Sequence, residues 1–150
     1  MSGTDLQKDL IAFEVDKESI AFLANEFPNL MVRDESFLNF DFVGLNSEKV
    51  GVAGNFPYNI SSQILFKILD KRNTVSECVG MFQKEVAQRV AEKPGSKSYG
   101  IISVFIQAFY DVEYLFTVDE HVFDPPPKVK SGVIRLTRNN ADKLPCDEKL

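Results

Sequence analysis

The chain passes from strand to helix within Val50-Gly51-Val52-Ala53-Gly54-Asn55-Phe56-Pro57-Tyr58. Residues 50–55 combine valines with small residues, which predicts a strand approached closely by neighbouring backbones and therefore central in its sheet. Residues 61–71 follow with four apolar side chains on one face of a helix. A strand, a short turn and an amphipathic helix form the βα unit of an α/β protein. The sequence therefore predicts an α/β fold.

The same alternation extends in both directions. Short apolar runs predict strands at residues 10–16, 30–32, 78–82, 112–118 and 132–137, and helical patterns predict helices at residues 17–26, 84–92 and 99–109. The helix at 99–109 is almost entirely apolar, so it is predicted to be buried. No helix separates the last two strands, which predicts an antiparallel hairpin at the edge of an otherwise parallel sheet.

The composition is that of a globular domain. The 150 residues are 44% hydrophobic and 26% charged, which suits a single domain and not a disordered chain. The sequence has no run of about 18 consecutive apolar residues, so no membrane span is predicted. The two cysteines, Cys78 and Cys146, are too few for a disulfide framework. We therefore expect a reducing, cytoplasmic setting without a membrane.

Charge is distributed unevenly along the chain. The net charge of -5 argues against nucleic-acid binding by bulk electrostatics alone. However, residues 1–50 carry 4 basic and 10 acidic residues, whereas residues 51–100 carry 7 and 4. Contact with a polyanion would therefore favour the middle third, joined by basic residues such as Lys128 and Lys130. The alternative is that these charges belong to solvated helix faces and loops.

Asn55 to Tyr58 stand where ligands bind in an open α/β sheet, at the carboxyl end of a strand. Pro57 holds Phe56 extended, so the Phe56 carbonyl can lie beside the Asn55 amide oxygen. Two such acceptors can bind both N–H groups of an exocyclic amine and direct its lone pair toward an electrophile. Tyr58 offers a flat face to a base. A plain turn is the alternative for an isolated tetrapeptide.

Other candidate sites are weaker. Residues 94–98 lack the spaced glycine and the preceding strand of a P-loop. His121 is the only histidine, and no cysteine or acidic cluster at ligand spacing accompanies it, so no metal site is predicted. Cys78, within an apolar strand, is predicted to be a buried hydrophobe.

Four segments together resemble a known family. They are Asn-Phe-Pro-Tyr-Asn-Ile-Ser-Ser at 55–62, Gly-Met-Phe-Gln-Lys-Glu-Val-Ala-Gln-Arg at 80–89, Pro-Gly-Ser-Lys-Ser-Tyr-Gly at 94–100 and Val-Phe-Asp-Pro-Pro-Pro-Lys-Val-Lys-Ser at 122–131. In this order they resemble the small-subunit ribosomal RNA adenine N6,N6-dimethyltransferases. The likeness covers most of residues 10–150 and is most specific from 54 to 138.

The resemblance implies a Rossmann-like methyltransferase sheet with an antiparallel C-terminal edge hairpin. It implies S-adenosylmethionine as methyl donor, no metal, and dimethylation of two adjacent adenines in a hairpin loop of small-subunit rRNA. The partner would be that rRNA or the precursor small-subunit particle, and the protein would be a monomer.

The resemblance also assigns roles to residues. Asn55, Phe56, Pro57 and Tyr58 would form the catalytic motif, with Asn55 between cofactor and target amine. Glu14 would bind the cofactor ribose hydroxyls. Tyr58 and Phe123 would enclose the flipped adenine, and Lys128 would contact the RNA. The family's aspartate for the cofactor adenine aligns best with Ser36, although a shift would bring Asp34 or Glu35 to that position.

Two family segments have no counterpart in the chain. A Gly-Gln-His-Phe-Leu motif with a glycine-rich strand and loop would precede residue 10, and a small helical domain would follow residue 138. We therefore expect a truncated chain, with residues 1–138 as a partial catalytic domain lacking its first strand and 139–150 as a linker toward the helical domain. The absent strand would belong between the strands at 10–15 and 50–54, and its loss leaves unpaired edges.

Two alternatives to rRNA methylation remain. The chain could be a catalytically inactive fragment or an RNA-binding or ribosome-assembly module without methyl transfer. Enzymes that carry a related motif with two prolines methylate other amino groups on DNA, protein or small molecules. Phe56 in place of the first proline, together with the downstream matches, disfavours that second possibility.

Overall fold

A computed structural model describes residues 10–45 and 49–140. It has the predicted mixed α/β composition and divides into two compact units, Met1–Val43 and Gly44–Leu150. Among the described helices, none is long and apolar enough to cross a membrane.

The first unit is a small βαβ arrangement. Strand β1 (Ile11–Glu14) and strand β2 (Met31–Asp34) pair in parallel, and helix α1 (Lys17–Glu26) connects them. The Asp16 carboxylate accepts a hydrogen bond from the Ser19 backbone N–H at 2.8 Å, which caps α1 and lowers the pKa of Asp16. The predicted elements at 10–16, 17–26 and 30–32 are thus confirmed, with small shifts at their ends.

Four phenylalanines form the apolar cluster of this unit. Phe13 of β1 packs against Phe37 and Phe40, with ring centroids 5.6 and 4.8 Å apart. Phe42 lies 5.0 Å from Phe40, and both rings are buried. Ring contacts of this kind add to the area they bury, so the cluster links the short 3-10 helix Phe37–Asn39 to β1.

The described part of the second unit contains a four-stranded sheet and three α-helices. Its elements are β3 (Val50–Asn55), α2 (Ser61–Asp70), β4 (Val75–Gln83), α3 (Lys84–Ala91), α4 (Ile101–Phe109), β5 (Tyr110–Val118) and β6 (Ser131–Arg138). The strand order is β3-β4-β6-β5, with β3 and β4 parallel and β6 antiparallel to both neighbours. The predicted antiparallel edge hairpin, β5 with β6, is therefore confirmed.

The core lies between the three helices and the sheet. Ile64, Leu65 and Ile68 of α2 are at most 1% exposed, because the helical spacing puts them on one face. The buried Tyr110 hydroxyl donates to the carbonyls of Val75 at 2.8 Å and Ile68 at 3.3 Å, although one proton serves only one of them at a time. Burial raises the pKa of Tyr110 to about 12, so this core hydroxyl stays protonated.

Two predictions about packing were wrong. Helix α4 was expected to be buried throughout, but Ile101 is 73% and Val104 47% exposed, because only one face of the helix meets the core. Strand β3 was expected to be central, but it stands at the edge of the four-stranded sheet. Within residues 10–45 and 49–140, it pairs only with β4. Gly54 of β3 leaves room for the Phe56 ring on one face of the sheet.

Candidate active site

The turn after β3 has a fixed backbone. The Phe56 N–H donates to the Met81 carbonyl at 3.3 Å, which extends the contact with β4 by one residue. Pro57 then leads into the 3-10 helix Tyr58–Ile60. The Ser61 hydroxyl donates to the Tyr58 carbonyl at 3.0 Å where α2 begins. Asn55 to Tyr58 thus lie at the carboxyl end of β3, as predicted.

The Phe56 ring occupies the space left by two glycines. Gly54 and Gly80 are register partners on β3 and β4. A Cβ atom would lie 2.8 Å from the ring at Gly54 and 2.6 Å from it at Gly80, closer than real Cβ contacts. The ring also packs on Phe82 with centroids 5.2 Å apart. Phe56 is 8% exposed, so its side chain anchors the turn.

An open cleft of about 370 Å³ lies beside this turn. It brings the predicted catalytic run together with Phe123, which is almost 70 residues further along the chain. Lys128 is exposed and does not line this cleft. The lining residues are Asn55, Phe56, Pro57, Tyr58, Phe123, Pro125 and Pro127.

Ser131 is a site residue that sequence reasoning missed. It is the buried first residue of β6, and its hydroxyl forms a hydrogen bond with the Tyr58 hydroxyl. This bond fixes the orientation of the Tyr58 ring relative to the sheet. A serine at the entry to a predicted strand, directly after a basic proline-containing segment, was the available signal, but nothing linked it to Tyr58.

The predicted cofactor residues Glu14 and Ser36 belong to the first unit. Glu14 is the register partner of Asp34, so two carboxylates end β1 and β2 side by side. The Glu14 Oε1 atom accepts from the N–H groups of Val15 at 2.8 Å and Asp16 at 3.0 Å. Within the described residues its Oε2 atom has no partner, so it fits a role in accepting hydrogen bonds from a ribose diol.

The three alternatives for the adenine contact differ in their present partners. Asp34 is paired with Lys17. The Ser36 hydroxyl oxygen accepts from the Leu38 N–H at 3.3 Å at the start of a 3-10 helix. Glu35 makes no hydrogen bond or ion pair within the described part of the chain.

The surroundings of His121 differ from the expectation. Asp119, Glu120 and His121 place their potential ligand atoms within 4.8 Å of one another, so an acidic cluster does accompany the histidine. Turn geometry brings adjacent residues together here. The Asp119 carboxylate already accepts a hydrogen bond from Lys130 at 3.0 Å. This bond lowers the pKa of Asp119 and raises that of Lys130.

Comparison with solved structures defines the class of protein. The fold matches a dimethyladenosine transferase from Plasmodium falciparum with a TM-score of 0.75 and 28% identity, covering 86% of this chain and 47% of that one. It matches the 23S rRNA methyltransferase ErmE with a TM-score of 0.72 and 26% identity, covering 87% and 52%. The fold is thus the mixed α/β fold of these rRNA methyltransferase structures.

The sequence comparison gives the family. The family model described as Ribosomal RNA adenine dimethylase matches residues 4–148, and the chain belongs to this family. It is 61% identical to Ribosomal RNA small subunit methyltransferase A of Cytophaga hutchinsonii over 138 residues, which are 91% of this chain and 54% of that protein. The corresponding protein of Parabacteroides distasonis is 57% identical, with 95% and 54% covered. The chain thus spans about half the length of the curated relatives it matches, and the predicted family is confirmed.

Proposed function

We propose that this chain carries the target-base site of an S-adenosylmethionine-dependent dimethyltransferase, acting on N6 of two adjacent adenines in a hairpin loop of small-subunit rRNA. The observation that carries this proposal is the cleft in which Asn55, Phe56, Tyr58 and Phe123 meet at the end of β3. Hydrogen-bond acceptors and aromatic faces are the groups needed to hold a flipped adenine by its amino group.

The residues of the cleft have different roles in binding the target adenine. The Asn55 amide oxygen and the Phe56 carbonyl accept the two N–H groups of the adenine amine, which turns the nitrogen lone pair out of the ring plane. Tyr58 and Phe123 stack on the base, and such stacking contributes about 1–3 kcal/mol per base. No general base is required, because an amine that has gained a methyl group becomes acidic enough to lose its proton to water.

The cofactor contacts are assigned to the first unit. Glu14 would accept hydrogen bonds from the ribose hydroxyls through its Oε2 atom, and Ser36, or its neighbours Asp34 and Glu35, would contact the adenine. When bound, S-adenosylmethionine supplies an electrophilic methyl group on its sulfonium. A Rossmann-like sheet without its first strand stays a prediction, supported by the parallel strand pair in each unit and by the edge hairpin.

The partner of the cleft is small-subunit rRNA or its precursor particle in the cytoplasm, bound by a monomer. Sequence-specific RNA recognition favours loops, where bases are already unstacked and can enter a cleft. Exposed Lys128 stands one residue beyond Pro127 of the cleft wall and would contact the RNA backbone.

A second candidate is an RNA-binding or ribosome-assembly module without methyl transfer. It is favoured by the strand pairing of the second unit: among the described residues β3, which carries Asn55, pairs only with β4, and no described strand pairs with its other edge. Under this candidate, the chain binds RNA without binding S-adenosylmethionine.

One set of measurements separates the two candidates. The 150-residue chain is incubated with tritiated S-adenosylmethionine and an RNA hairpin whose loop carries two adjacent adenines, and the product is identified by mass spectrometry. Asn55→Ala should lower transfer about 100-fold or more, because a group aligned with the reacting atoms is lost. Asn59→Ala is the matched control, since Asn59 is exposed and does not line the cleft.

Calorimetric titration with S-adenosylmethionine gives the complementary result. Micromolar binding together with N6,N6-dimethyladenosine supports the methyltransferase. Binding of the hairpin with neither cofactor binding nor product supports the second candidate. Full transfer by Asn55→Ala would refute the role given to that residue.

A further inference from the structure

A second cleft adjoins the candidate active site. It measures about 350 Å³ and, unlike the first, is lined mainly by amide and charged side chains. The lining residues are Gln83, Lys84, Glu85, Gln88, Val129 and Lys130. The end of β4, the first turns of α3 and the segment before β6 thus line it.

The two clefts are lined by neighbouring residues of one chain segment. Pro127 lines the first cleft, and Val129 and Lys130, two and three residues later, line the second. They are also joined through Ser131, which pairs with Gln83 across β4 and β6 and is hydrogen-bonded to Tyr58. A base held on Tyr58 is therefore linked to the second cleft through Ser131 and its strand partner Gln83.

Lys84 is the available cation of this cleft. Its ammonium makes no hydrogen bond or ion pair within residues 10–45 and 49–140. Lys130, by contrast, is held by Asp119. The one acidic lining residue, Glu85, is 82% exposed and forms an ion pair with Arg89 at 3.0 Å, so its charge is balanced by a residue that does not line the cleft.

The uncharged residues that line the second cleft have groups that can bind a nucleotide. Gln83 precedes α3 but forms no side-chain hydrogen bond to cap it, and Gln88 is exposed. Each glutamine amide offers both donors and an acceptor to a base edge. Val129 supplies an apolar surface that is 43% exposed.

We propose that this second cleft binds the nucleotide adjoining the target adenine, with Lys84 on its phosphate and the glutamines on its base. This inference rests on the proposed function, because it assumes that a flipped adenine occupies the first cleft. Its consequence is that the enzyme recognises two consecutive nucleotides of a single-stranded loop.

The test is a fluorescence anisotropy titration of a labelled RNA hairpin, with the loop adenines described above, at several salt concentrations. Lys84→Gln should weaken binding roughly threefold or more at ~100 mM salt, and the slope of log affinity against log salt should fall by about 0.7. Lys71→Gln is the charge-matched control. Lys71 precedes β4 whereas Lys84 follows it, so the two lie at opposite ends of that strand.

A second ligand tests whether the effect comes from the neighbouring nucleotide. Adenosine 5′-monophosphate and two dinucleotides, each carrying the target adenosine with a neighbour on one side, compete with the labelled hairpin. Lys84→Gln should weaken competition by at least one dinucleotide while leaving competition by the mononucleotide unchanged. Equal thermal midpoints for the variants show that they fold alike.

The outcomes separate the inference from the proposed function. If the wild type binds the hairpin and Lys84→Gln behaves like Lys71→Gln, the second cleft is not a nucleotide site, and the proposed function stands. If the wild type does not bind the hairpin, both fail. A loss for Lys84→Gln that is equal for mononucleotide and dinucleotides would also overturn the assignment.

Discussion

The ring of Phe56 lies against Gly80, where a Cβ atom would come within 2.6 Å of Phe56 Cε2. Gly80 belongs to the neighbouring strand, and its register partner Gly54 meets the same ring. Phe56 is buried, and the residues of its turn line the candidate active-site cleft. Packing of one side chain on two glycines therefore sets the position of the carbonyl that we assign to the target amine.

We expect Gly80→Ala to disturb both folding and the active site. The new methyl group must displace the Phe56 or Phe82 ring, and overpacking of this kind costs about 1–3 kcal/mol of unfolding free energy. Urea denaturation measures this loss, and methyl transfer should fall with it. Gly51→Ala is the control, because nothing lies within 4 Å of a Cβ atom there. Equal stability and transfer for the two variants would show that the ring contact does not position the turn.

We expect Tyr58 and Ser131 to act as a coupled pair. Tyr58→Phe keeps the stacking face but loses the hydroxyl, and Ser131→Ala removes the buried partner of that hydroxyl. A hydrogen bond of this kind contributes about 0.5–1.5 kcal/mol. A double-mutant cycle on RNA affinity should give a coupling energy in that range. Additive effects would indicate that Ser131 does not orient the Tyr58 ring.

We expect the protein to lose stability at alkaline pH. Burial raises the pKa of Cys78 from 9.0 to about 12 and that of Tyr110 from 10.0 to about 12. At a pH between the ordinary pKa of each group and its raised pKa in the folded protein, the unfolded chain has lost a proton that the folded chain retains. The free energy of unfolding therefore falls as the pH rises from 9 toward 12. Chemical denaturation at a series of pH values measures the decline.

The Tyr110→Phe variant isolates the tyrosine contribution. Near neutral pH it should lose about 0.5–1.5 kcal/mol, because the hydrogen bonding of Tyr110 to the Val75 and Ile68 carbonyls is removed. Between pH 10 and 12 its stability should decline less steeply than that of the wild type. An identical decline would mean that Tyr110 ionises as readily in the folded as in the unfolded chain.

We expect Asp119→Asn to strengthen RNA binding. Lys130 lines the second cleft but is held by the Asp119 carboxylate. Neutralising this acid should raise hairpin affinity roughly two- to fivefold at low salt, and the gain should diminish as salt increases. Fluorescence anisotropy measures it, with Asp111→Asn as a control on an exposed strand residue. No gain, or an equal gain in both variants, would argue against a phosphate near Lys130.

The ion pair of Asp119 with Lys130 also predicts how the stability of the protein changes at acidic pH. The pKa of Asp119 is lowered chiefly by the hydrogen bond from Lys130, so the contribution of this carboxylate to stability is present above its usual pKa of 3.8. It should be lost as the pH falls through the lower pKa of the folded state. The Asp119→Asn variant should therefore lose less stability than the wild type on acidification below pH 3.8.

Local sequence patterns predicted much of the fold and part of the candidate site. The helix at Lys17–Glu26 and the strand at Val50–Asn55 follow from periodicity and from the residues that flank them. The Asn55 to Tyr58 run could be predicted as a site because the end of a strand exposes backbone groups. Ser131 and the pairing of Gly54 with Gly80 could not, because their partners lie on other strands.

By itself, the sequence determined the α/β alternation, the edge hairpin and the Asn55–Tyr58 turn, since these depend on residues that are neighbours along the chain. Only the tertiary structure decided that Phe56 packs on Gly80, that Tyr58 bonds to Ser131, and that Phe123 faces the turn across one cleft. It also decided that β3 stands at the edge of its sheet and that only one face of α4 is buried. The physical reason is that burial and cross-strand contact depend on which strands meet, and local periodicity carries no information about that partner.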